Sequence, residues 1–332
     1  MAESTARPTR YPFGYRPKDQ SECSRFPPDQ KPGYRGRFAP SPTGELHFGS
    51  LVAALASALQ ARQAGGEWLI RVDDIDPPRE VKGACTSIVT TLKEHGFRTA
   101  TPVIYQSQRH AHYRSALELL QAKGLTYVCD CSRTQWRNFE RSQSDSQRCP
   151  GDCAARSLAA DSGAVRFKAN GTASFVDRVM GRVEQNLETE VGDFVLLRRD
   201  GLWAYQLANV VDDAEDGITE IVRGADLLDN TPRQITLARA LGVTIPDYVH
   251  IPVAVDAEGQ KLSKQTQAKP MNPAQAVDNL QAAWRFLGQA ELPAIRTVDE
   301  FWQQAVLEWK PERIPALAEI VVPAQLYQSG SR

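Results

Sequence analysis

The amino-acid sequence predicts an α/β protein built on a parallel sheet, interrupted near its middle and followed by a short helical C-terminal piece. Three observations predict it. From Arg35 short β-rich runs alternate with helical periods; between about 130 and 190 the rhythm gives way to Ser, Arg, Gln, Asp and four cysteines; the alternation then returns, ahead of a helical stretch from 271.

At 332 residues the chain exceeds a single average domain and suits two modules, or one interrupted domain with ample length for a core. Hydrophobic residues make up 42% and charged residues 24%, with a formal net charge of -1, so any RNA partner has to be met by a local basic surface rather than a global field. No apolar run approaches the roughly 18 residues of a membrane span. The N-terminus also lacks an apolar core followed by a small-residue cleavage site. The expectation is a cytoplasmic monomer with no membrane partner.

Residues 1–34 hold Pro8, Pro12, Pro17, Pro27, Pro28 and Pro32 among polar residues without a period, which reads as a mobile tail. The first half of the α/β domain is expected over 35–129. Arg37-Phe38-Ala39 is a strand stopped by Pro40 and Pro42. Leu51, Leu55 and Leu59 recur every four residues in a helix to about Gln63, and Gly65-Gly66 ends it before the strand Trp68 to Val72. Helical periods at 81–95 and 109–123 alternate with strands at 102–105 and 125–129. Residues 130–192 read as an insertion rather than more sheet. The second half, 193–270, opens with a hairpin: Phe194 to Leu197, the Asp200-Gly201 turn, then Trp203-Ala204-Tyr205. A strand at Ile218 to Val222, a helix near 232–241 and a strand near 249–255 follow. Residues 271–332, with Leu280, Trp284, Phe286, Phe301 and Trp302, read as helical.

Two segments carry nucleotide chemistry. Pro40 to Ser50 places His47-Phe48-Gly49-Ser50 where a helix begins, so free backbone N–H groups and the bare Gly49 let polyphosphate approach, with His47 as a donor. A lone histidine before a helix is more often a cap or a packed side chain. The partner segment changes that balance: Lys261-Leu262-Ser263-Lys264-Gln265 follows a strand and a turn, giving two lysines able to close over phosphates. In that order and about two hundred residues apart, the segments resemble the HIGH and KMSKS motifs of class I aminoacyl-tRNA synthetases. The resemblance implies a Rossmann-type domain split by an insertion, and attack of an amino acid carboxylate on the α-phosphate of ATP, with Mg²⁺. The catalytic residues would be His47, Lys261 and Lys264, each worth roughly 3 kcal/mol of transition-state stabilisation. Pro40, Gly49, Ser50, Leu262 and Ser263 would complete the ATP site. Ser50 stands where the motif has its second histidine, which leaves one fewer donor.

Arg37 to Gly44, Arg71 to Asp76, Tyr205 to Asp213 and Ile221 to Asp226 are similar, in the same order, to glutamyl-tRNA synthetase signatures. Carried over residue by residue, the resemblance implies Arg37, Asp73, Tyr205 and Arg223 as L-glutamate ligands, with Ala39 and Ser41 lining the pocket. The set is physically sensible: an arginine fork reads a carboxylate bidentately, and glutamine would leave the buried charge unpaired. Asp73 replaces the more usual glutamate and is one methylene shorter. A surface ion-pair cluster of Arg71, Asp73, Asp74, Asp76 and Arg79, and a packing role for Tyr205, are the plainer readings.

Cys129, Cys131, Cys149 and Cys153 form C-x-C, seventeen intervening residues, then C-x3-C. Two close pairs suit one structural, tetrahedral Zn²⁺ with four thiolates and no open position; four reduced thiols or a redox switch are the alternatives. Residues 126–168 carry seven Arg/Lys against five Asp/Glu, a small local excess.

After Gln265 only 67 residues remain, too few for an anticodon-binding domain. With the HFGS and KLSKQ forms and the cysteines, this resembles the glutamyl-queuosine tRNA(Asp) synthetase family. It implies tRNA-independent glutamate activation and transfer to the queuosine base in the anticodon loop of tRNA-Asp. The alternatives are a truncated glutamyl-tRNA synthetase charging a tRNA 3′ end, or a catalytically idle RNA-binding paralogue.

Overall fold

The computed structural model describes residues 33–132, 134–135, 149–156, 158–262 and 269–324. The tail expected over 1–34 lies outside them except for Gly33 and Tyr34, as do Ser263, Lys264 and Gln265. The described residues from Tyr34 onward belong to one compact unit.

Strand β1 (Arg35–Phe38) leads into helix α1 (Phe48–Gln63), and β2 (Glu67–Val72) returns parallel to β1 with Arg37 opposite Leu69. Helix α2 (Ala84–Glu94) precedes β3 (Ile104–Tyr105), parallel to the end of β2, and α3 (His110–Ala122) follows. Next come β4 (Thr126–Cys129), β5 (Ala164–Phe167), β6 (Thr172–Asp177), β7 (Gly181–Asn186) and β8 (Phe194–Leu197), all in antiparallel pairings. The parallel pattern resumes after α4 (Tyr205–Glu215), with β9 (Glu220–Gly224), α5 (Thr231–Leu241) and β10 (Asp247–Ile251). The chain continues through β11 (Val253–Val255), α6 (Ala276–Phe286), α7 (Val298–Glu308) and β12 (Glu319–Val321). Strand β9 lies beside β1, tied where Thr219 N donates to Arg35 O at 2.9 Å, so the parallel layer runs β3-β2-β1-β9-β10 with helical crossovers.

Residues Trp68 to Val72 of β2 are all buried, as a parallel strand covered on both faces requires. The predicted leucine stripe of α1 is buried, but so are Ala54, Ala56, Ala58 and Ala61. Small residues let this helix be packed on all sides, beneath the sheet and against α6 and α7. Phe48 meets Phe286 edge to face at 5.7 Å, and Trp284 meets Phe301 likewise at 6.2 Å. A capping box between Thr297 and Glu300 starts α7. Gly66 is required by close approach, since a Cβ there would fall 2.2 Å from the Tyr34 carbonyl oxygen. Tyr34 is itself anchored, its hydroxyl donating to Glu220 Oε1 at 2.9 Å.

Three expectations need correction. The hairpin after Phe194 has no second strand: only a bridge joins Leu197 to Trp203, and Tyr205 opens α4. Burial of Leu207, Val210 and Val211 at helical spacing outweighs the β-like Trp-Ala-Tyr run. The segment expected to hold no sheet contains β5, β6 and β7; in β6 Val176 faces out and Asp177 is buried, which hides the alternation. The C-terminal piece is not purely helical, because β12 pairs parallel with β11. Among the described residues no helix is long and apolar enough to cross a membrane.

Leu55 is fully buried in the packed helix and Leu307 is 71% exposed. Leu55→Ala is expected to lower the unfolding free energy in urea by about 2–5 kcal/mol, and Leu307→Ala by less than about 0.5. Equal effects would contradict this packing.

Candidate active site

A cavity of about 480 Å³ opens where β1 and β9 end and α1 begins, the crevice where parallel α/β sheets take ligands. Arg37, Ala39, Pro40, Ser41, His47, Gly49, Ser50, Tyr205, Arg223, Lys261 and Leu262 all line it. Asp73 does not; it lines a neighbouring cavity of about 1340 Å³. Ser41, Thr43, Arg79 and Tyr205 border both.

The phosphate end is built on the α1 N-terminus. His47 caps it, Nδ1 accepting from Ser50 N at 3.4 Å. With Nδ1 as acceptor, Nε2 carries the proton and donates to Ser50 Oγ at 3.1 Å. Ser50 thus orients His47 and keeps a hydroxyl hydrogen to donate. A Cβ on Gly49 would meet the His47 ring at 3.5 Å, an ordinary contact, so packing alone does not demand glycine there. Its bareness opens the helix start to a ligand.

Both ends of the lysine loop are moored beside this helix. Leu262 is 1% exposed and its N donates to Ala254 O, while Pro270 bridges to His47 and Met271 N donates to Leu46 O at 2.9 Å. Leu262 is therefore a core anchor that turns Lys261 toward the cavity, where its ammonium pairs with Asp226. Ser263 and Lys264 are beyond the described residues.

The two arginines predicted to read a carboxylate are 3% and 5% exposed, and each is held from behind. Arg37 donates through Nε and Nη2 to Asp213 at 3.1 and 3.4 Å. Among the described residues its Nη1 has no hydrogen-bond partner. Arg223 donates through Nε to His250 Nε2 at 3.0 Å, through Nη2 to Thr231 Oγ1 at 2.8 Å and through Nη1 to Tyr205 Oη at 3.3 Å. Since His250 Nε2 accepts, its proton sits on Nδ1, which donates to Asp177 Oδ2 at 2.7 Å. That bond, with two backbone N–H donors, holds Asp177 below the usual carboxylate range against the effect of burial.

Asp73 is tied to Arg71 Nε at 3.1 Å and Asn209 Nδ2 at 3.2 Å. Burial pushes its carboxyl up to about 6 despite Arg71. The reading of Arg71 and Asp73 as a surface ion-pair cluster fails, because Arg71 is fully buried between Asp73, Asp213 and Asn209. Asp177 and His250 escaped the sequence reading, while Asn209, Asp213 and Asp226 fell inside its signatures without a role. Asn209 had one usable signal: it lies four residues after Tyr205, on the same helix face.

Cys129, Cys131, Cys149 and Cys153 are free thiols whose sulfurs all lie within 4.8 Å of one another. Sγ–Sγ separations are 3.4 Å for Cys129–Cys149, 3.2 Å for Cys131–Cys149 and 3.5 Å for Cys131–Cys153. Bonds of about 2.3 Å to one tetrahedral ion give edges of roughly 3.8 Å. A Cβ on Gly151 would come 2.8 Å from Cys131 Sγ, so the loop is shaped around the sulfurs. The four residues fit a metal ion.

Residues 34–287 match the family of class I tRNA synthetases (E and Q), catalytic domain. Proteins named glutamyl-Q tRNA(Asp) synthetase from Xanthomonas campestris and Chromobacterium violaceum are 48% and 49% identical, covering 86% and 85% of this chain and 95% and 96% of their own. The chain belongs to the class I (E and Q) tRNA synthetases, in the glutamyl-Q tRNA(Asp) synthetase group. A third relative of that name, from Burkholderia cenocepacia, is 50% identical over 84% of this chain and 96% of its own. Two solved structures share the fold at 22% identity and a TM-score of 0.72. They are a glutamate-tRNA synthetase from Elizabethkingia anophelis and a glutamate tRNA ligase from Elizabethkingia meningosepticum in complex with its amino acid. They align with 88% and 89% of this chain and 68% of theirs.

His47 carries a pH signature. Burial first, and Lys261 second, push its pKa from 6.5 down to about 4. Between those values the unfolded chain holds a proton that the folded one lacks. The histidine's contribution to stability is therefore complete above pH 6.5 and lost as pH falls through about 4. Over that window the unfolding free energy of His47→Gln is expected to rise less steeply with pH than that of the native protein. Parallel urea-derived curves would contradict the assignment.

Proposed function

We infer that the protein activates L-glutamate with Mg²⁺-bound ATP, without tRNA, and transfers glutamate to the queuosine base in the anticodon loop of tRNA-Asp. The observation that carries this reading is the 48–50% identity to glutamyl-Q tRNA(Asp) synthetases over 95–96% of their length. The cavity chemistry agrees with it.

In the reaction a glutamate α-carboxylate oxygen bonds to the α-phosphorus of ATP, and the bond to the β-phosphate side breaks, releasing pyrophosphate. A hydroxyl of the acceptor then attacks the acyl carbon, AMP leaves, and an ester results. Arg37 Nη1 and the Arg223–Tyr205 pair read the side-chain carboxylate, next to Ala39 and Ser41. Asp73, with Asn209, faces the substrate ammonium, directly or across a water. His47 Nε2 exchanges Ser50 Oγ for a phosphate oxygen as its acceptor, and the freed Ser50 hydroxyl, Gly49 and the backbone after Pro40 complete the phosphate site. Lys261 exchanges Asp226 for phosphate, with Ser263 and Lys264 of the same motif as further phosphate ligands. Catalysis by alignment and charge stabilisation needs no protein nucleophile. The setting is the cytoplasm, where thiolates stay reduced. There Cys129, Cys131, Cys149 and Cys153 would hold one Zn²⁺ as a structural ion, tying one close cysteine pair to the other.

Incubation with labelled glutamate, ATP and queuosine-containing tRNA-Asp, followed by ribonuclease mapping, tests the reading. Label is expected in the anticodon loop, and none on tRNA-Asp lacking queuosine. Label at the 3′ end would favour a charging enzyme, and absence of glutamate-dependent pyrophosphate exchange would favour an idle paralogue. Arg223→Gln is expected to lower kcat/KM for glutamate in exchange by roughly ten- to a hundredfold, as loss of a charge-assisted bond implies.

Elemental analysis is expected to find one zinc per chain in the native protein and less than one in Cys149→Ser. Chelation should lower the thermal midpoint; a metal-free protein of unchanged midpoint would remove the metal from the account.

A further inference from the structure

The cavity of about 1340 Å³ beside the activation pocket is larger than the 300–1,000 Å³ usual for small ligands, and the chemistry above brings only the substrate ammonium to its Asp73 edge. It shares Tyr205 and Ser41 with the pocket that would hold the adenylate, so an acceptor group lying in it reaches the acyl carbon without crossing the fold. Its lining combines one indole, Trp203, with five arginines and five acids, and Arg198 is paired with Asp76 and Asp200. Two of the arginines, Arg199 and Arg233, donate to backbone carbonyls rather than carboxylates and have no ion-pair partner among the described residues. Arg199 donates to Asp130 O at 3.3 Å and Ser162 O at 2.9 Å, which fixes the cysteine-bearing strap as the far wall.

Trp203 is braced for contact. Its Nε1 donates to His110 Nδ1 at 3.0 Å and its ring leans on Tyr113 with centroids 5.8 Å apart. Both supports come from α3, and the indole remains partly exposed along the cavity. A flat, pre-positioned ring sharing a cavity with guanidinium groups anchored on backbone carbonyls is the chemistry that binds an unstacked nucleobase and its neighbouring phosphates.

We propose that Trp203 is the stacking platform for the accepting base of the RNA, with Arg199 and Arg233 taking the phosphates on either side. This rests on the RNA-acceptor reading given above and assigns it a place. The acceptor is single-stranded at that point, since a base held in a duplex cannot present its face to the indole.

Trp203→Ala and Trp203→Phe are compared with the native protein in two assays: pyrophosphate exchange without RNA, and glutamate transfer to queuosine-containing tRNA-Asp. Exchange by Trp203→Ala is expected within about twofold of native. Its kcat/KM for transfer should fall about five- to a hundredfold, the usual span for loss of one stacked base. Trp203→Phe, which keeps an aromatic face, should recover most of that loss. Arg233→Ala should reduce the slope of log(kcat/KM) for transfer against log[salt] by about 0.7. Unchanged transfer by Trp203→Ala, or equal loss of exchange and transfer in both tryptophan variants, overturns the platform while leaving the function standing. Native protein that exchanges pyrophosphate but transfers to no tRNA overturns the acceptor reading, and the platform with it.

Discussion

A guanidinium with no exposed surface organises this molecule. Arg71, near the end of β2, donates to Asp73, Asp213 and Asn209 at 3.1, 2.7 and 2.9 Å, and Asp212 and Asp216 lie within 4 Å. These partners come from the end of β2 and from α4 with the residue that follows it, so one buried cation sets where α4 docks. Taking a charge out of water is costly, and removing one partner of such a group typically costs about 3–5 kcal/mol because the remainder stays uncompensated. The pocket inherits that rigidity: Asp213 also grips Arg37, and Asn209 also grips Asp73. Burial gives Arg71 its leverage, and its acids keep it charged there.

The two arginines of the small cavity are set by unlike means. Arg37 is fixed by a carboxylate, which offsets much of its charge, and presents one nitrogen. Arg223 is fixed by neutral groups, an imidazole and a hydroxyl, and keeps a full charge for a ligand. A site with both has one point of geometric selection and one of electrostatic attraction, a division suited to accepting a carboxylate while refusing its amide.

Much of this was legible in the sequence because it is local. Helix α1, strand β2 and the glycine stop between them follow from four-residue leucine spacing and a Gly-Gly pair. The cysteine cluster follows from two close pairs, and most named pocket residues line one cavity. What was illegible is non-local or uncapped. Helix α4 has Ala204 as its N-cap and so no side-chain cap, and nothing at 203–205 contradicts a strand. Strand β6 turns Val176 outward and Asp177 inward, which inverts the usual pattern and blurs its period. The partnership of Asp177 with His250 spans 73 positions and has no local trace. Asp73 illustrates a further limit: a signature names a position, but only packing reveals that its carboxylate is already engaged by Arg71 and Asn209.

Asp177 ends β6, on the antiparallel hairpin, yet its carboxylate is the root of the chain that reaches Arg223 through His250. The hairpin is therefore no removable ornament. Excising it to make a smaller enzyme would free His250 to adopt either tautomer, and in one of them its Nε2 carries a proton facing the arginine it should receive. A trimmed protein would keep every residue that lines the small cavity and still lose the posture of Arg223. The smallest working version of this fold must carry its antiparallel part along.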